Sequence, residues 1–509
     1  MGNNPGLDQF KFPLDLGAPE GSLEGRSPPV DNGHEVVDPS RYYSREFMAK
    51  EWQTLWPKVW LLAAVTSDIR EAGDYTLYQH GHEELLIVRQ DDLSIKAFYN
   101  ACPHRGNRVC QVDRGVGDSF TCPFHGWRFG GNGKLQEIVD EETFNPKLIA
   151  HRPGLTEVRC DHMAGLVFIN MDGKAPPLKE WMGLPEGYVE AYGLETMNLV
   201  RHTRSDWNSN WKTGVDTFYE SYHLPHIHPQ TQGSIEEFSQ VDLYKNGFSR
   251  MIMWFGIKSH RHEVEHARDL DEGTRIFLRD AGIDPDTYTG TVADTRRDIQ
   301  LAKRERAARL GLKDWDGLTD GQLSDGWITG LFPNVQMGMH AEGVFIMRFV
   351  PHPTDPEKFT YDNMLLYRHV DTPNYDVPTW MAMPKDIDVT GAVRPEIERW
   401  AANEVPGIGP VLLQDFELVP HVQSGLKSRG FKGPLWGEQE ARIRHFHKEI
   451  DRYISGENLT GQKIPMTAPV RVTVTPGVGP TCGDTFKIAF FLATPNPPPP
   501  SDSTVSIVQ

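Results

Sequence analysis

From Ser44 onward, apolar residues recur at Phe47, Met48, Trp52 and Leu55, which is the spacing of one helix face, and Ser44 stands where a cap belongs. The period then shortens. "WLLAAV", "YTLYQH", "ELLIVRQ" and "IKAFYN" are short β-like runs separated by turn residues. They predict a small all-β region ending near residue 155. The pattern beyond it is mixed. "WKTGVDTFYESYH" reads as a helix and "RDIQLAKRERAARLGL" as a charged, mostly exposed one. "GVFIMRFVPHP" and "NMLLYRHV" read as strands. "GEQEARIRHFHKEIDRYISGE" is an amphipathic closing helix with Ile443, Phe446, Ile450 and Tyr453 on one side. Strands and helices without regular βαβ alternation predict an α+β fold. The last fifty residues change again, to β-like runs and the string "PNPPPP".

These shifts divide the chain into a loose, Gly-, Pro- and Asp-rich segment 1–40, a region 41–155, a region 156–457 and a tail 458–509. The 509 residues are enough for two or three domains. Apolar residues make up 38% and charged residues 24%, a composition expected of a water-soluble globular chain. The formal charge of −18 argues against nucleic acid or an anionic membrane as the main partner. No apolar run approaches the ~18 residues of a membrane span. The opening "MGNNPGLDQFKF" has neither the basic start nor the apolar stretch of a signal peptide, and Gly6 stands where a myristoylation site wants Ser or Thr. A cytoplasmic location is therefore expected. The five cysteines, Cys102, Cys110, Cys122, Cys160 and Cys482, form no disulfide framework. In a reducing compartment, clustered Cys and His more often signal a metal.

Such clusters occur in "ACPHRGNRVCQVDRGVGDSFTCPFHGW". Cys102 and His104, then Cys122 and His125, offer two thiols and two imidazoles. Four such ligands can surround one zinc ion. They can also hold a Rieske [2Fe–2S] cluster, with two thiolates on one iron and two imidazoles on the other, and the Cys-His, Cys-His order suits the second arrangement. Pro103 and Pro123 would stiffen the loops, and Gly106 and Gly126 would let backbone amides approach the cluster sulfides. Cys110 and Cys160 read as ordinary buried residues.

A second cluster lies in "NWKTGVDTFYESYHLPHIHP". Iron(II) that activates oxygen often uses two histidines and one carboxylate. His223 and His228 are five apart, about 500° of turn on an unbroken helix, so their rings would diverge. Pro225 cannot continue a helix begun earlier, so a break there would let His228 fold back toward His223. His226 competes with His228 for this role.

"CPHRG…CPFHGW" resembles the Rieske motif of the large (alpha) subunit of Rieske non-haem iron oxygenases, the aromatic-ring-hydroxylating dioxygenase family. The resemblance runs from about residue 40 to 457. It implies a small all-β Rieske domain in 41–155 and, in 156–457, a helix-grip-like catalytic domain with an antiparallel sheet. It implies a [2Fe–2S] cluster on Cys102, His104, Cys122 and His125, and one Fe2+ per subunit. The family spacing His-x4-His-Pro favours His223 and His228 over His226 as iron ligands. "VLLQDFELVPHVQSGLKS" resembles the segment that supplies the carboxylate, with Asp415 in the ligand position, Gln414 in place of a frequent acid and Pro420 in place of a frequent Glu. Two further candidate catalytic side chains follow. Glu220, three residues before His223 on the expected helix, would bridge His104 of one subunit and His223 of its neighbour. Asp216 would hydrogen-bond near the iron or help set its field. Phe218, Met337, Met339, Phe345, Met347 and Phe349 are apolar candidates for the pocket.

The resemblance implies insertion of both atoms of O2 into an aromatic ring to give a cis-dihydrodiol. The same machinery run as a monooxygenase, a demethylase or hydroxylase of an aromatic or amine substrate, is the alternative. No dinucleotide fingerprint and no plant-type ferredoxin spacing occurs in the chain. Electrons are therefore expected from a separate reductase, with or without a ferredoxin, and the assembly is expected to be a homotrimer or α3β3. In the tail, "KIPMTAPV" resembles part of the SOUL haem-binding family, without a residue that stands out as a haem ligand.

Overall fold

The computed structural model describes residues 22–28, 30–262, 268–368 and 387–457, a few isolated positions, and the backbone of two short strands, Thr473–Thr475 and Lys487–Ala489. Cys482 and the rest of the tail lie outside the described residues. The N-terminal helix Arg45–Thr54 begins where the pattern places it, with the Ser44 hydroxyl accepting from Phe47 N at 3.2 Å. It leads into β1 (Leu61–Val65), β2 (Asp74–His80), β3 (Glu83–Arg89), β4 (Ile95–Tyr99) and β5 (Arg114–Val116). Three short strands, β6 (Ser119–Thr121), β7 (Arg128–Gly130) and β8 (Leu135–Glu137), form a separate sheet that carries one Cys/His loop.

The larger sheet is completed by β9 (Glu157–Met163) and β10 (Leu166–Asn170), in the antiparallel order β1-β10-β9-β4-β3-β2-β5. It therefore runs past the boundary expected at residue 155. Local pattern ends the β-rich run there, but β10 returns to pair with β1, and only long-range pairing reveals this. The Cys/His loops sit over a small core of their own, with Leu86, Phe98, Cys102, Cys122, Trp127 and Phe129.

The second part of the chain is built on an eight-stranded sheet. Its strands are β11 (Asn198–Trp207), β12 (Ile235–Leu243), β13 (Ser249–Phe255), β14 (Gly326–Leu331), β15 (Val335–Met339), β16 (Gly343–Pro351), β17 (Phe359–Tyr367) and β18 (Ile397–Trp400). The order is β12-β13-β14-β15-β16-β17-β11-β18, antiparallel except for the β11–β18 pair. Helix Trp211–Phe218 packs on β16 and on helix Pro410–Leu426. Gly214 makes this approach possible: a Cβ there would lie 2.7 and 2.8 Å from Phe359 and Phe349 ring atoms. Helix Ala441–Ile454 closes the domain, burying Ile443, Phe446, Ile450 and Tyr453. Helix Thr295–Leu310 is less exposed than its charge suggests. It buries Ile299 and Ala307 on one face, and Lys303 pairs with buried Glu342 at 2.7 Å.

The two parts share one continuous core, which runs from Trp56, Trp60 and Phe168 to Trp211 and Phe446. Buried ions join them as well. Arg348 Nη1 donates to Ala63 O at 2.6 Å while pairing with Asp362, and Asp68 pairs with both Arg114 and Arg394.

Candidate functional site

The two Cys/His loops repeat one backbone design. Cys102 N donates to Asn107 O at 2.8 Å and Gly106 N to Cys102 O at 2.8 Å. In the second loop, Cys122 N donates to Trp127 O at 2.8 Å and Gly126 N to Cys122 O at 3.0 Å. The glycines thus turn their own N–H groups back onto cysteine carbonyls. Their value to the loop is the left-handed backbone, at φ +77° and +72°. The loops face one another: the His104 and His125 rings lie 4.6 Å apart, and His104 stacks on Trp127 at 4.8 Å. Asn107 Nδ2 points at Cys122 Sγ from 3.8 Å. Burial raises the Cys102 thiol, and the neighbouring Cys122 adds to this. Cys110 is buried in the same small core, and burial pushes its thiol up to about 12. Cys160, half-buried on β9, is likewise pushed up to about 12.

The second cluster forms where the 211–218 helix ends. The helix expected to reach His223 stops at Phe218, and residues 219–223 form a turn. Pro225 therefore acts in a way the sequence pattern misses: it sits in the first turn of a new short helix, Leu224–Ile227, where its missing N–H costs nothing. His223 caps this helix at the start and His228 at the end, so one helical turn returns the chain and sets the two rings 5.3 Å apart. His226 is exposed. Asp415 is contributed from a distance by the 410–426 helix, on its buried face. Its Oδ1 lies 3.3 Å from His228 Nε2 and 3.8 Å from His223 Nε2, yet this buried oxygen has no hydrogen-bond partner.

Each histidine is held from behind. Glu220 accepts from the His223 backbone N–H at 3.0 Å and contacts its Nδ1 closely. Gln414 Oε1 lies 2.7 Å from His228 Nδ1. Both imidazoles thus present Nε2 to Asp415. Burial alone lowers His223, but Glu220 and then Asp415 outweigh it and raise the ring above its ordinary value. Within the chain Glu220 hydrogen-bonds to His223 and not to His104. Asp216 turns away from the histidine pair. Its carboxylate accepts from Tyr42 Oη at 2.6 Å and lies 3.0 Å from His447 Nε2. Burial, then Asp216, raises the Tyr42 hydroxyl, while burial lowers His447.

An aromatic wall stands beside Asp415. Phe218 stacks on Tyr361 at 5.8 Å, Phe349 lies 5.6 Å from Phe218, and Trp207 lies 5.3 Å from Phe416. Burial, then the charge of Asp415, holds the Tyr361 hydroxyl protonated, and this buried hydroxyl has no partner. Met337 and Met339 are core residues, and Phe345 packs with Val200, Leu365 and Tyr367 in a separate cluster. The sequence pattern passed over Tyr361, Trp207, Phe416 and Gln230. Only the adjacency of Gln414 and Phe416 to Asp415 could have drawn notice to any of their neighbourhood.

Among the described residues, two groups of three ligand-type side chains have their ligand atoms all within 4.8 Å of one another. One is His223, His228 and Asp415. The other, Glu236, Glu237 and His260, is closed by Arg261, whose Nε donates to Glu237 at 2.7 Å. Among the described residues, no three of Cys102, His104, Cys122 and His125 meet the same distance criterion. A cleft of about 800 Å3 at the junction of the two parts, lined by Asp68, Arg114 and Arg394 among others, contains none of these candidate ligands.

The chain thus combines paired Cys/His loops on a small β domain with a two-histidine, one-carboxylate set on an α+β domain, the architecture of a Rieske-type oxygenase alpha chain. Residues 59–148 match the Rieske [2Fe-2S] domain, and 194–456, more than half of the chain, match the ring hydroxylating alpha subunit (catalytic domain). The chain belongs to the ring-hydroxylating alpha-subunit family, whose cofactors are a Rieske [2Fe–2S] cluster and non-haem iron. Residues 435–509 match the SOUL heme-binding protein family.

The carnitine monooxygenase oxygenase subunit of Escherichia coli (strain K12) is 31% identical over 209 residues, 40% of this chain and 54% of that protein. The large oxygenase component of the naphthalene 1,2-dioxygenase system of Pseudomonas putida is 33% identical over 203 residues, 38% of this chain and 44% of that protein. The matched segment thus spans about half the length of these relatives. In fold, the chain is similar to a quaternary ammonium Rieske monooxygenase in complex with L-carnitine, with TM-score 0.56, 18% identity, and coverage of 86% of this chain and 99% of that one. It is also similar to naphthalene 1,2-dioxygenase with indole bound, with TM-score 0.57, 20% identity, and coverage of 83% and 94%. No helix among the described residues is long and apolar enough to cross a membrane.

Two orphaned atoms test whether the residues fit the two groups. Asp415 Oδ1 is a buried carboxylate oxygen without a hydrogen-bond partner, and the Nε2 atoms of two imidazoles converge on it at 3.3 and 3.8 Å, a donor set that suits a cation. His104 Nδ1 is buried without a partner, its ring 4.6 Å from that of His125. Both sites fit.

Proposed function

We propose that this chain is a terminal oxygenase component. Its Rieske cluster would be held by Cys102, His104, Cys122 and His125, its catalytic iron by His223, His228 and Asp415, and it would oxygenate a small organic substrate with O2. The observation that carries this reading is the unpartnered Asp415 Oδ1 set between two Nε2 atoms. When bound, the cluster supplies single electrons and the iron supplies oxygen activation. The chain's own residues do the rest. Glu220 keeps a proton on His223 Nδ1, which leaves Nε2 free to coordinate. The rings of Phe218, Phe349 and Tyr361 exclude water beside Asp415 and offer flat faces to a substrate. The Tyr361 hydroxyl, protonated and unpartnered, is available to donate to substrate.

The aromatic wall favours an aromatic substrate. The reaction is then dihydroxylation to a cis-dihydrodiol, consuming one O2, two electrons and two protons. The electrons come from a reductase, with or without a ferredoxin. Phe124, beside His125, and Tyr222, beside His223, are each more than half exposed, as expected if neighbouring subunits cover them in a trimer. Glu220 would then complete its bridge to His104 of the next subunit.

A second reading is monooxygenation of an amine. Aromatic faces also hold quaternary ammonium groups, and relatives named for betaine and carnitine oxidation match as well as the naphthalene enzymes do. Turnover of the reconstituted protein with aromatic hydrocarbons, aromatic acids and quaternary amines separates the two. A cis-dihydrodiol supports the first reading; hydroxylation or loss of an N-substituent supports the second. Purified protein that takes up zinc but neither iron nor acid-labile sulfide under anaerobic reconstitution would end both.

A further inference from the structure

We infer that Gln414 and Gln230 form an amide clamp that fixes His228 in its metal-presenting tautomer, and that Gln414, by being neutral, sets the charge of the metal site. The inference rests on the reading of His223, His228 and Asp415 as a metal centre. Gln414 Oε1 lies 2.7 Å from His228 Nδ1 and 2.8 Å from Gln230 Nε2. A primary amide accepts only through its oxygen. The Gln230 amino group donates to that same oxygen, so the carbonyl end of Gln414 serves both neighbours. His228 must then carry its proton on Nδ1, and its bare Nε2 faces Asp415 Oδ1 at 3.3 Å.

The placement is economical. Gln414 and Asp415 are successive residues of one helix, about 100° apart around its axis. They reach opposite nitrogens of a single imidazole, Gln414 at Nδ1 and Asp415 at Nε2. Gln230 closes the clamp from the histidine's own side, two residues after His228 in the short helix Pro229–Thr231. His223 is backed differently, by the carboxylate of Glu220. Asp415 and Glu220 together carry two negative charges, which match one divalent cation. A carboxylate at 414 would leave the site one charge in excess.

The test is titration of metal-depleted protein with Co2+, followed by its visible absorption, with [2Fe–2S] content as the check on folding. Gln414→Leu should weaken Co2+ binding by about 10–100-fold, the usual loss when a partner behind a metal-bound histidine is removed. Gln414→Glu, which can still accept from Nδ1, should bind at least as tightly as wild type. Gln230→Leu should lose less than Gln414→Leu, because the acceptor stays but can rotate. Two results would overturn the clamp: Gln414→Leu binding within twofold of wild type, or Gln414→Glu binding as weakly as Gln414→Leu, which would mark the position as one of packing. Wild type that binds no Co2+, or His228→Ala that binds it as wild type does, would instead bring down the metal reading, and the clamp with it.

Discussion

Removing the Glu220 carboxylate should cost the protein two distinct things. Glu220 is buried and hydrogen-bonds to one residue through two oxygens: Oε2 takes the His223 backbone N–H at 3.0 Å and Oε1 takes the ring Nδ1. Hydrogen bonds to a charged group contribute roughly 1.5–3 kcal/mol each, and a buried donor left without a partner adds its desolvation. Glu220→Ala strips both bonds and frees the His223 ring to turn or change tautomer. Metal affinity should fall by about 10–100-fold, equivalent to roughly 1.4–2.8 kcal/mol. Glu220→Gln is not a neutral control. An amide has one acceptor oxygen, so one of the two donors on His223 would face an NH2 group. Its affinity should lie between wild type and alanine, nearer alanine. With metal supplied in excess, any remaining defect belongs to electron transfer. Product formation should still be at least ~100-fold down in the alanine variant, the upper end of such losses. Co2+ titration, stopped-flow reoxidation of the reduced cluster and product yield should be measured on the same preparations. An alanine variant that binds Co2+ within twofold of wild type would refute the hydrogen-bond argument. Normal reoxidation at full metal loading would refute the bridge.

Other outcomes follow from the same structure. His228→Ala should lose the mononuclear metal and keep acid-labile sulfide, whereas His226→Ala, altering an exposed ring, should keep both by metal and sulfide analysis. Asp362 is buried, with His202 Nε2 at 2.9 Å, Arg204 Nε at 2.6 Å and Arg348 Nη2 at 2.9 Å. Asp362→Asn leaves the buried Arg348 and the partly buried Arg204 without their counter-ion and should destabilise the protein by about 3–5 kcal/mol, read from the urea midpoint. Burial alone would raise the Asp362 carboxyl, but Arg348, His202 and Arg204 hold it well below its ordinary value. Its contribution is therefore complete above the unfolded value near pH 4 and is lost as pH falls toward the native one. The variant should lose this part of the wild-type acid sensitivity, and an unchanged stability profile below pH 4 would count against the assignment.

Much of this molecule is legible in its sequence, and what is legible is local. The Ser44 cap, the strands from "WLLAAV" to "IKAFYN" and the apolar stripe of the closing helix depend on near neighbours in the chain, so their period shows through. The spacing of Cys102, His104, Cys122 and His125 is legible for the same reason, since each pair sits on one short loop. Where local signals competed, sequence was a poorer guide. Pro225 reads as the end of a helix that in fact stopped at Phe218, because proline breaks a running helix and also favours the first turn of a new one. Glu220 reaches His223 across a turn and not along a helix face, so the contact predicted from helical spacing formed by a different geometry. The tertiary structure alone joined β10 to β1, turned Asp216 toward Tyr42 and His447, and carried Asp415 and Gln414 to opposite nitrogens of His228 across nearly two hundred residues of chain. The division has a physical cause: torsion preferences and side-chain period act over a few residues, whereas the atom that a buried carboxylate or amide faces is set by the packing of the whole core.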